Sequence, residues 1–377
     1  MSGVRHLYVH LPFCAHRCGY CDFVTLVGRA DRHGPYVDAL LAELRLEAAL
    51  LADEVETVYL GGGTPTFTEP EALARLLAAL PIRPSAEVTV EANPETVTPA
   101  LAALLRRHGA TRVSLGAQSF QPELLAVLER RAAPAAVRSA FYHLRDAGFD
   151  NISLDLVYGI PGQSPSDLER DLAEAIALGP EHLSCYELEA KPGTRFTHAH
   201  GEELARQADA MEGYIELVVK TLRGAGYRWY ETANFCREDR QARHNVAYWQ
   251  GRDYLGIGIG AVSTVGGLRW RNRPSLGGYL RALADGRRPP REEEPLEPEV
   301  KSRERLMLGL RLDEPVALSE VAGAVDGAAL ARMERLGLAR QTDGGLTLTT
   351  RGRFLGGGVT AELLVGISAE SPAKSTI

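Results

Sequence analysis

The feature that most constrains the fold is a regular alternation of strand-like and helix-like segments along the chain up to residue 223. The strand-like runs are Arg5–Leu11, Val55–Leu60, Glu87–Glu91, Arg112–Ala117, Asn151–Val157 and His182–Leu188. The helical patterns are Tyr36–Leu51, Glu69–Leu80, Pro99–His108, Gln121–Arg131, Ala135–Ala147, Ser166–Leu178 and Leu204–Arg223. Strands that alternate with helices in this way are expected to be parallel and joined by right-handed crossovers. Six units predict a partial (β/α)6 barrel of the α/β class, because about eight units close a TIM barrel.

Polar and glycine residues gather where the predicted strands end. Gly61–Thr64 follow the second strand, Glu91 closes the third, Gln118 ends the fourth, and Asp155 lies late in the fifth. Each could be a turn glycine or a satisfied polar group when considered alone. In a parallel barrel these positions share one rim, where chemistry is usually located. The shared location indicates a ligand site, with glycines allowing close backbone approach.

Three cysteines, Cys14, Cys18 and Cys21, lie in one loop after the first strand. Thiolates are the usual ligands of iron–sulfur clusters, whereas a structural zinc site would need a fourth ligand. Neither Cys185 nor Cys236 has a paired spacing that would supply one. The alternative is three unrelated buried thiols. Three ligands on a four-iron cluster would leave one iron open to a small molecule.

The C-x3-C-x2-C spacing resembles the signature of the radical S-adenosylmethionine (SAM) enzymes. The segments around the strand ends are similar to the coproporphyrinogen-oxidase-like branch of that superfamily, over about residues 4 to 270. The resemblance implies that the three cysteines ligate a [4Fe–4S] cluster whose open iron chelates SAM. It also implies SAM contacts for Tyr8, Tyr20, Gly62, Gly63, Thr64, Glu91, Gln118, Arg130 and Asp155. The family commonly has a histidine two residues after this arginine, and this chain has Ala132 there. The assignment of Arg130 therefore depends on its spacing from Gln118 and Asp155.

Two functions compete within this branch. The oxygen-independent coproporphyrinogen III oxidases carry a further cysteine two residues beyond the third ligand, where this chain has Phe23. They also have a longer N-terminal extension, and here Cys14 is preceded by only 13 residues. Both departures argue against the oxidase. A radical SAM enzyme with another substrate is a third possibility.

A second motif favours a haem carrier. The run from Arg243 to Trp249 contains H-N-x-x-Y-W, which alone would read as a loop histidine beside core aromatic residues. In this context it is similar to the signature of the HemW-type haem chaperones, relatives of the oxidase. The resemblance implies haem as a cofactor and unidentified haem-acceptor proteins as partners. His244 becomes the candidate haem-iron ligand, since imidazole suits iron, with His10 and His16 as other candidates.

Composition sets the remaining expectations. A chain of 377 residues with 45% hydrophobic residues has room for a barrel and a smaller domain. The net charge of −7 gives no electrostatic footprint for nucleic acid. No apolar run has the length of a membrane span, although a membrane-associated acceptor is compatible with this. The clustered cysteines and the absence of a signal peptide predict a reducing cytoplasm.

The C-terminal part is predicted to be a separate, helical and winged-helix-like domain. Gly286–Pro295 has the composition of a linker, and the helical patterns after it lead to a hairpin over 338–349. The predicted division is 4–235 for the radical SAM partial barrel, 236–290 for an extension with the H-N-x-x-Y-W motif and linker, 296–365 for the C-terminal domain and 366–377 for a disordered tail. We expect a haem carrier rather than an oxidase.

Overall fold

Six parallel strands, paired in the order of the sequence, form the centre of the fold. A computed structural model describes residues 3–189, 191–207 and 210–366. The six strands are β1 (His6–Leu11), β2 (Val55–Gly62), β3 (Ile82–Ala92), β4 (Arg112–Gln118), β5 (Ile152–Tyr158) and β6 (His182–Glu187). Each pairs in parallel with the next. This arrangement confirms the predicted partial (β/α)6 barrel.

Three short strands that were not predicted extend this sheet at its edges. They are β7 (Arg228–Glu231), β8 (Asn234–Cys236) and β9 (Leu255–Ile257). β9 pairs in parallel with β1, and β8 pairs antiparallel with β6. Among the described residues the sheet therefore has nine strands, in the order β9-β1-β2-β3-β4-β5-β6-β8-β7.

Helices connect the strands, as the apolar periodicity predicted. They are α1 (His33–Glu47), α2 (Pro70–Ala78), α3 (Pro99–Arg107), α4 (Pro122–Val127), α5 (Pro134–Asp146), α6 (Pro165–Leu178), α7 (Arg195–Gln207), α8 (Met211–Gly224), α9 (Arg243–Trp249) and α10 (Leu276–Ala284). Successive helices pack side by side, α1 on α2, α2 on α3 and α3 on α5. A proline is the first residue of five of the first six helices, where its missing N–H removes no helical hydrogen bond.

The observed helix bounds differ from the predicted ones by one to four residues at several ends, and two predicted helices differ for a reason that the structure shows. The predicted helix Gln121–Arg131 ends at Val127, because Glu129 adopts a left-handed φ of 53° that helical residues do not have. The predicted helix Leu204–Arg223 is divided between α7 and α8, which end and begin on either side of 208–209, two residues outside the described ranges. Periodicity alone merged them because both have apolar positions at helical spacing.

The strands have one apolar and one polar face. Residues such as Val58, Leu60, Val113 and Leu154 are buried on the apolar face, and each contributes about 1.5–3 kcal/mol to stability. The alternate positions are polar on all six strands: His6, Tyr8, His10, Thr57, Tyr59, Glu87, Thr89, Glu91, Arg112, Ser114, Ser153, Asp155, His182, Ser184 and Tyr186. A closed TIM barrel fills its interior with branched apolar residues. This barrel instead has a polar interior, with the apolar face toward the helices.

A three-stranded sheet precedes the C-terminal part. It consists of β10 (Val262–Val265), β11 (Leu268–Asn272) and β12 (Arg291–Pro295). The predicted linker Gly286–Pro295 is therefore wrong in its second half, which is a strand. The Arg291 guanidinium lies 4.7 Å from the centre of the Trp270 ring. The charged composition of the segment Gly286–Pro295 did not reveal this packing partner.

The C-terminal part has its own apolar core, as predicted. Its elements are α11 (Pro298–Gly309), β13 (Val316–Ala317), α12 (Leu318–Val321), α13 (Gly327–Arg335), β14 (Ala339–Thr342), β15 (Gly345–Leu348), α14 (Thr350–Phe354) and α15 (Gly356–Leu363). The β14–β15 hairpin turns at Asp343 and Gly344, whose φ values of 44° and 80° suit a two-residue turn. Leu306, Leu346 and Leu363 are fully buried in this core.

The described residues divide into two compact units. The first contains the chain up to Trp229, Ala233–His244 and Asp253–Glu294. The second contains Tyr230–Thr232, Asn245–Arg252 and the chain from Pro295 onward. The predicted four-part division stays a prediction. Its predicted tail lies outside the described residues except for Gly366.

Candidate functional site

The cysteine loop lies directly after β1 at the carboxyl end of the barrel. Cys14 belongs to a two-residue strand that pairs in parallel with Leu26 and Val27, and this pairing closes the loop. Cys14 is 8% exposed, while Cys18 and Cys21 are half-buried. Burial raises the pKa of the Cys14 and Cys21 thiols, and the neighbouring thiols raise it further. The three sulfurs therefore lie close enough to influence one another electrostatically.

A hydrogen-bonded chain joins two of these sulfurs across the rim. Cys14 Sγ is 3.5 Å from the Thr64 hydroxyl, and Arg130 Nη1 donates to Cys18 Sγ over 3.8 Å. Asn93 connects the two partners, because its Nδ2 donates to Thr64 at 3.0 Å and its Oδ1 accepts from Arg130 at 2.9 Å. Arg130 also donates to the Gly116 carbonyl at 3.0 Å. The donor set of three thiols with polar support suits a cluster bound by three cysteines.

Within the described ranges, no group of three or more His, Cys, Asp or Glu side chains is arranged to hold one metal ion.

The glycine run fixes the second rim loop against the first. Gly62 has a φ of 112°, and a Cβ there would lie 2.5 Å from the His10 ring. A Cβ on Gly63 would lie 2.6 Å from the carbonyl group of Pro12. The Gly63 and Thr64 N–H groups donate to the carbonyls of Leu11 and Phe13 at 2.8 and 2.9 Å. Only glycine allows this approach, so both glycines have a defined structural task beside the cysteine loop.

Glu91 links the glycine loop to the interior of the barrel. Its carboxylate accepts from the Tyr59 hydroxyl at 2.7 Å and from the Gly62 N–H at 3.1 Å. Burial inside the barrel, away from bulk water, raises the pKa of Glu91 to about 7. Tyr8 stacks on Tyr59 with ring centres 6.3 Å apart, and its hydroxyl lies 3.1 Å from His10 Nδ1.

Gln118 and Asp155 lie on neighbouring strands. Gln118 has a φ of 65°, a strained value for this residue type, at a register shift between β4 and β5. Strain of about 1–3 kcal/mol at such a position is typical of functional sites. The Asp155 carboxylate accepts from Ser114 at 3.0 Å, and burial raises its pKa. Tyr20, beside Cys21, is within reach of the Arg130 guanidinium, which lowers the tyrosine pKa against the larger effect of burial.

His244 lies toward the amino end of the strands, away from the cysteine loop. Its Nδ1 is 2.8 Å from the hydroxyl of Thr57, five residues before Gly62 in β2, which corresponds to about 16 Å along the strand. The Tyr59 ring centre is 5.4 Å away, and Glu87 accepts the His244 backbone N–H at 3.2 Å. The side chain is 0% exposed, and burial lowers its pKa to about 3. The neutral ring is thus part of the barrel interior.

The sequence predictions missed three features of this region. Arg112 is 2% exposed inside the barrel, Asn93 is the connector described above, and Gly159–Gln163 form a tight turn after β5. In that turn Gln163 Oε1 accepts from the Gly159 and Ile160 N–H groups at 2.8 and 3.3 Å. The period-2 placement of polar residues along all six strands was the available signal for Arg112.

Comparisons with known proteins agree with this geometry. The sequence model of the Radical SAM superfamily matches residues 8–175, and that of the HemN C-terminal domain matches residues 296–355. A Mycobacterium tuberculosis protein named Heme chaperone HemW is 39% identical over 369 residues, covering 95% of this chain and 94% of the relative. A Bacillus subtilis protein of the same name is 31% identical, covering 96% and 99%.

A solved structure shares the whole fold. Coproporphyrinogen III oxidase (HemN) from Escherichia coli, described as a radical SAM enzyme, superposes with a TM-score of 0.81 at 24% identity, covering 96% of this chain and 90% of that one. At this identity the likeness establishes the fold alone.

Proposed function

Because this chain belongs to the radical SAM superfamily and, within it, to the family of the heme chaperone HemW, we propose that it binds haem and transfers it to acceptor proteins. A [4Fe–4S] cluster and SAM are part of the proposal. The observation that carries it is the similarity to relatives named Heme chaperone HemW, which covers 94–99% of their length. We place the protein in the cytoplasm, where its thiols would stay reduced. None of the described helices is long and apolar enough to cross a membrane.

The cluster would be held by Cys14, Cys18 and Cys21, with Thr64 and Arg130 donating hydrogen bonds to its sulfurs. When bound, a three-cysteine cluster supplies an open iron that can chelate SAM and an electron for its cleavage. Hydrogen bonds to the sulfurs tune the reduction potential. Arg130 has a planar guanidinium suited to a carboxylate, such as that of SAM.

The remaining rim residues would orient SAM. Gly62 and Gly63 have no Cβ that would obstruct a ligand at the strand ends, and Thr64 places its hydroxyl between Cys14 and Asn93. Glu91 and Asp155 offer carboxylates to a ligand with positive charge. Tyr20 adds aromatic surface and Gln118 an amide at the same rim, and Tyr8 adds an aromatic ring three residues before the end of β1.

The oxygen-independent coproporphyrinogen III oxidase is the second candidate, because the segments around the strand ends resemble the coproporphyrinogen-oxidase-like branch. Phe23 argues against it, because this position lacks the additional cysteine of the oxidases. The phenylalanine ring is 64% exposed, so packing does not require an aromatic residue here. A radical SAM enzyme with another substrate is the third candidate.

For the haem iron, His244 stays a prediction from the H-N-x-x-Y-W motif. Coordination at this residue requires the ring to leave Thr57 and become exposed. Its substitution by alanine should weaken haem binding only if such an opening occurs.

Two assays on cluster-reconstituted protein test the proposal. Haem added under anaerobic conditions should give a saturable Soret band, and an apo-haemoprotein added afterwards should take up that haem faster than it takes up free haem. A second sample receives SAM, a low-potential reductant and coproporphyrinogen III. Protoporphyrinogen in that sample would establish the oxidase, whereas haem transfer without this product supports the chaperone.

A further inference from the structure

Thr64 and Asn93 have equivalent places in two neighbouring rim loops. Thr64 follows β2 and Asn93 follows β3, and each precedes a proline that begins a three-residue 3₁₀ helix, Pro65–Phe67 or Pro94–Thr96. Threonine and asparagine at such a position usually accept hydrogen bonds from the N–H groups of the turn that follows. Neither side chain does so here. The two side chains instead contact each other across the rim.

The backbone of Asn93 is held by its own turn. The Thr96 N–H and hydroxyl both donate to the Asn93 carbonyl, at 3.0 and 2.7 Å. The Thr96 hydroxyl also lies 2.6 Å from that of Thr66, which joins the turn after β3 to the turn after β2. The Asn93 amide is therefore attached to a fixed backbone.

The direction of each hydrogen bond around this amide follows from Arg130. A guanidinium can only donate, so the side-chain oxygen of Asn93 must face Arg130 Nη2, which lies 2.9 Å away. The amide nitrogen then faces Thr64 and donates to its hydroxyl at 3.0 Å. A hydroxyl that accepts this bond keeps its single proton for another acceptor. Cys14 Sγ, 3.5 Å from the Thr64 oxygen, accepts that proton.

The same amide directs a donor at the second sulfur. Arg130 Nη2 donates to the Asn93 oxygen and to the Gly116 carbonyl, which holds the guanidinium plane from two sides. Its other terminal nitrogen, Nη1, then donates to Cys18 Sγ over 3.8 Å. One asparagine thus fixes a hydrogen bond to each of two cysteine sulfurs.

We propose that Asn93 is a positioning residue, which directs the Thr64 and Arg130 donors at Cys14 and Cys18 and thereby raises the reduction potential of the cluster. The inference rests on the proposed cluster and names a residue that determines its potential. Reduction adds negative charge to the cluster, and hydrogen bonds to the sulfurs stabilise that charge. Asparagine suits the position because it combines an acceptor for the guanidinium with a donor for the hydroxyl.

The substitution Asn93→Asp keeps the shape of the side chain and reverses its effect on Thr64. An ionised carboxylate only accepts hydrogen bonds, so the Thr64 hydroxyl would donate to Asp at position 93 and no longer to Cys14. Arg130 would pair with the carboxylate through a stronger, charge-assisted bond. Both changes weaken the hydrogen bonds to the sulfurs.

The new carboxylate also adds a negative charge, which lowers the potential by itself, so two controls separate charge from hydrogen bonding. Thr64→Val removes the hydroxyl and keeps the branched shape of the side chain. Glu95→Gln removes one negative charge from an exposed residue that acts electrostatically on Arg130. This second control leaves the hydrogen bonds between Asn93, Thr64 and the sulfurs in place.

The test uses the full-length, cluster-reconstituted chain without SAM. It compares the wild type with Asn93→Asp, Thr64→Val, the double variant and Glu95→Gln. Iron and sulfide analysis and far-ultraviolet circular dichroism establish that each protein is loaded and folded. A redox titration followed by electron paramagnetic resonance of the reduced cluster gives the potential. Resonance Raman spectra in H₂O and D₂O report hydrogen bonding to the cysteine sulfurs through the iron–sulfur stretching bands.

We expect Asn93→Asp to lower the potential by about 59 mV or more, which for a one-electron couple is a tenfold change in the ratio of reduced to oxidised cluster. The deuterium shift of the iron–sulfur bands should decrease as well. Thr64→Val alone should lower the potential, and Asn93→Asp should then lower it further by less than it does in the wild type. Glu95→Gln should raise the potential, by less than Asn93→Asp lowers it.

Three results would overturn the proposal. One is an unchanged potential in Thr64→Val, which is decisive even if Asn93→Asp loses its cluster. Another is an equal effect of Asn93→Asp with and without the Thr64 hydroxyl, because charge alone would then explain it. The third is an unaltered deuterium shift in Asn93→Asp. A wild-type protein that takes up no iron and sulfide would contradict the proposed cluster itself, and with it this inference, whereas the three results above leave the cluster in place.

Discussion

The substitution Gly63→Ala tests how the two rim loops are joined. The new Cβ would lie 2.6 Å from the Pro12 carbonyl carbon and oxygen and 2.9 Å from the Phe13 carbonyl oxygen. These neighbours are backbone atoms, so the contact can be relieved only by moving one loop. Overpacking costs about 1–3 kcal/mol, and loss of the Gly63 and Thr64 hydrogen bonds to the cysteine loop adds about 1 kcal/mol each. The expected destabilisation is about 3–5 kcal/mol.

The matched control is Gly213→Ala. Gly213 lies in α8 and is followed by Tyr214, and a Cβ there would meet no atom within 4 Å, so alanine should stabilise the helix by up to about 1 kcal/mol. Urea unfolding followed by circular dichroism gives the stability of each variant, and iron and sulfide analysis gives the cluster content. Gly63→Ala should unfold at lower urea and retain less cluster, because Cys14 lies in the displaced loop. An unfolding midpoint and iron content equal to those of wild type would refute the reasoning.

Three further predictions concern individual side chains. Cys18→Ala should abolish the iron–sulfur absorbance, and a normal sulfide content would contradict the cluster assignment. The folded pKa of Glu91 is raised from 4.5 to about 7, so its stabilising contribution is full below pH 4.5 and is lost as pH rises through 7. Glu91→Gln should therefore increase the unfolding free energy, relative to wild type, more at pH 8 than at pH 5. An equal increase at the two pH values would show that Glu91 does not titrate between them in the folded protein. The folded pKa of His244 is lowered from 6.5 to about 3, so its contribution is present above pH 6.5 and is lost as pH falls toward 3. His244→Asn should flatten the decline in unfolding free energy between pH 7 and pH 4, and an unchanged slope would show that the ring is not buried in solution.

The barrel was predictable because its signals are local. Strand-like runs of five to seven residues alternate with helical periodicity, and the six strands occur where these runs lie. The residues at the strand ends could be placed on one rim because parallel strands all end on the same side. The short strands β8 and β9 have only three residues each, and they form because a neighbouring strand offers an unpaired edge. No local pattern records that partner.

The polar interior shows the opposite case. Thr57, Thr89 and Ser153 look like ordinary strand residues, and each is almost fully buried. Their alternation with valine and leucine was visible in the sequence, but it is also typical of a half-exposed strand. Only the helices packed on the apolar face decide that the polar face points inward. The burial of His244 could not be predicted either, because its partners Thr57 and Glu87 are more than 150 residues away in the chain.

The polar interior also explains how this barrel can be stable around a ligand site. Its apolar core lies between strands and helices, where Leu60, Val90 and Leu154 are fully buried, so the interior is free to hold charged groups. Burial raises the pKa of both Glu91 and Asp155, and the positive charge of Arg112 opposes that rise. Arg112 Nε has no hydrogen-bond partner within the described part of the chain. The positive charge of the guanidinium favours the ionised forms of both carboxylates. Replacing Arg112 by methionine should raise the pKa of both carboxylates and so weaken the binding of a cationic ligand such as SAM at neutral pH. If the folded variant bound SAM with unchanged affinity, Arg112 would not contribute to this site.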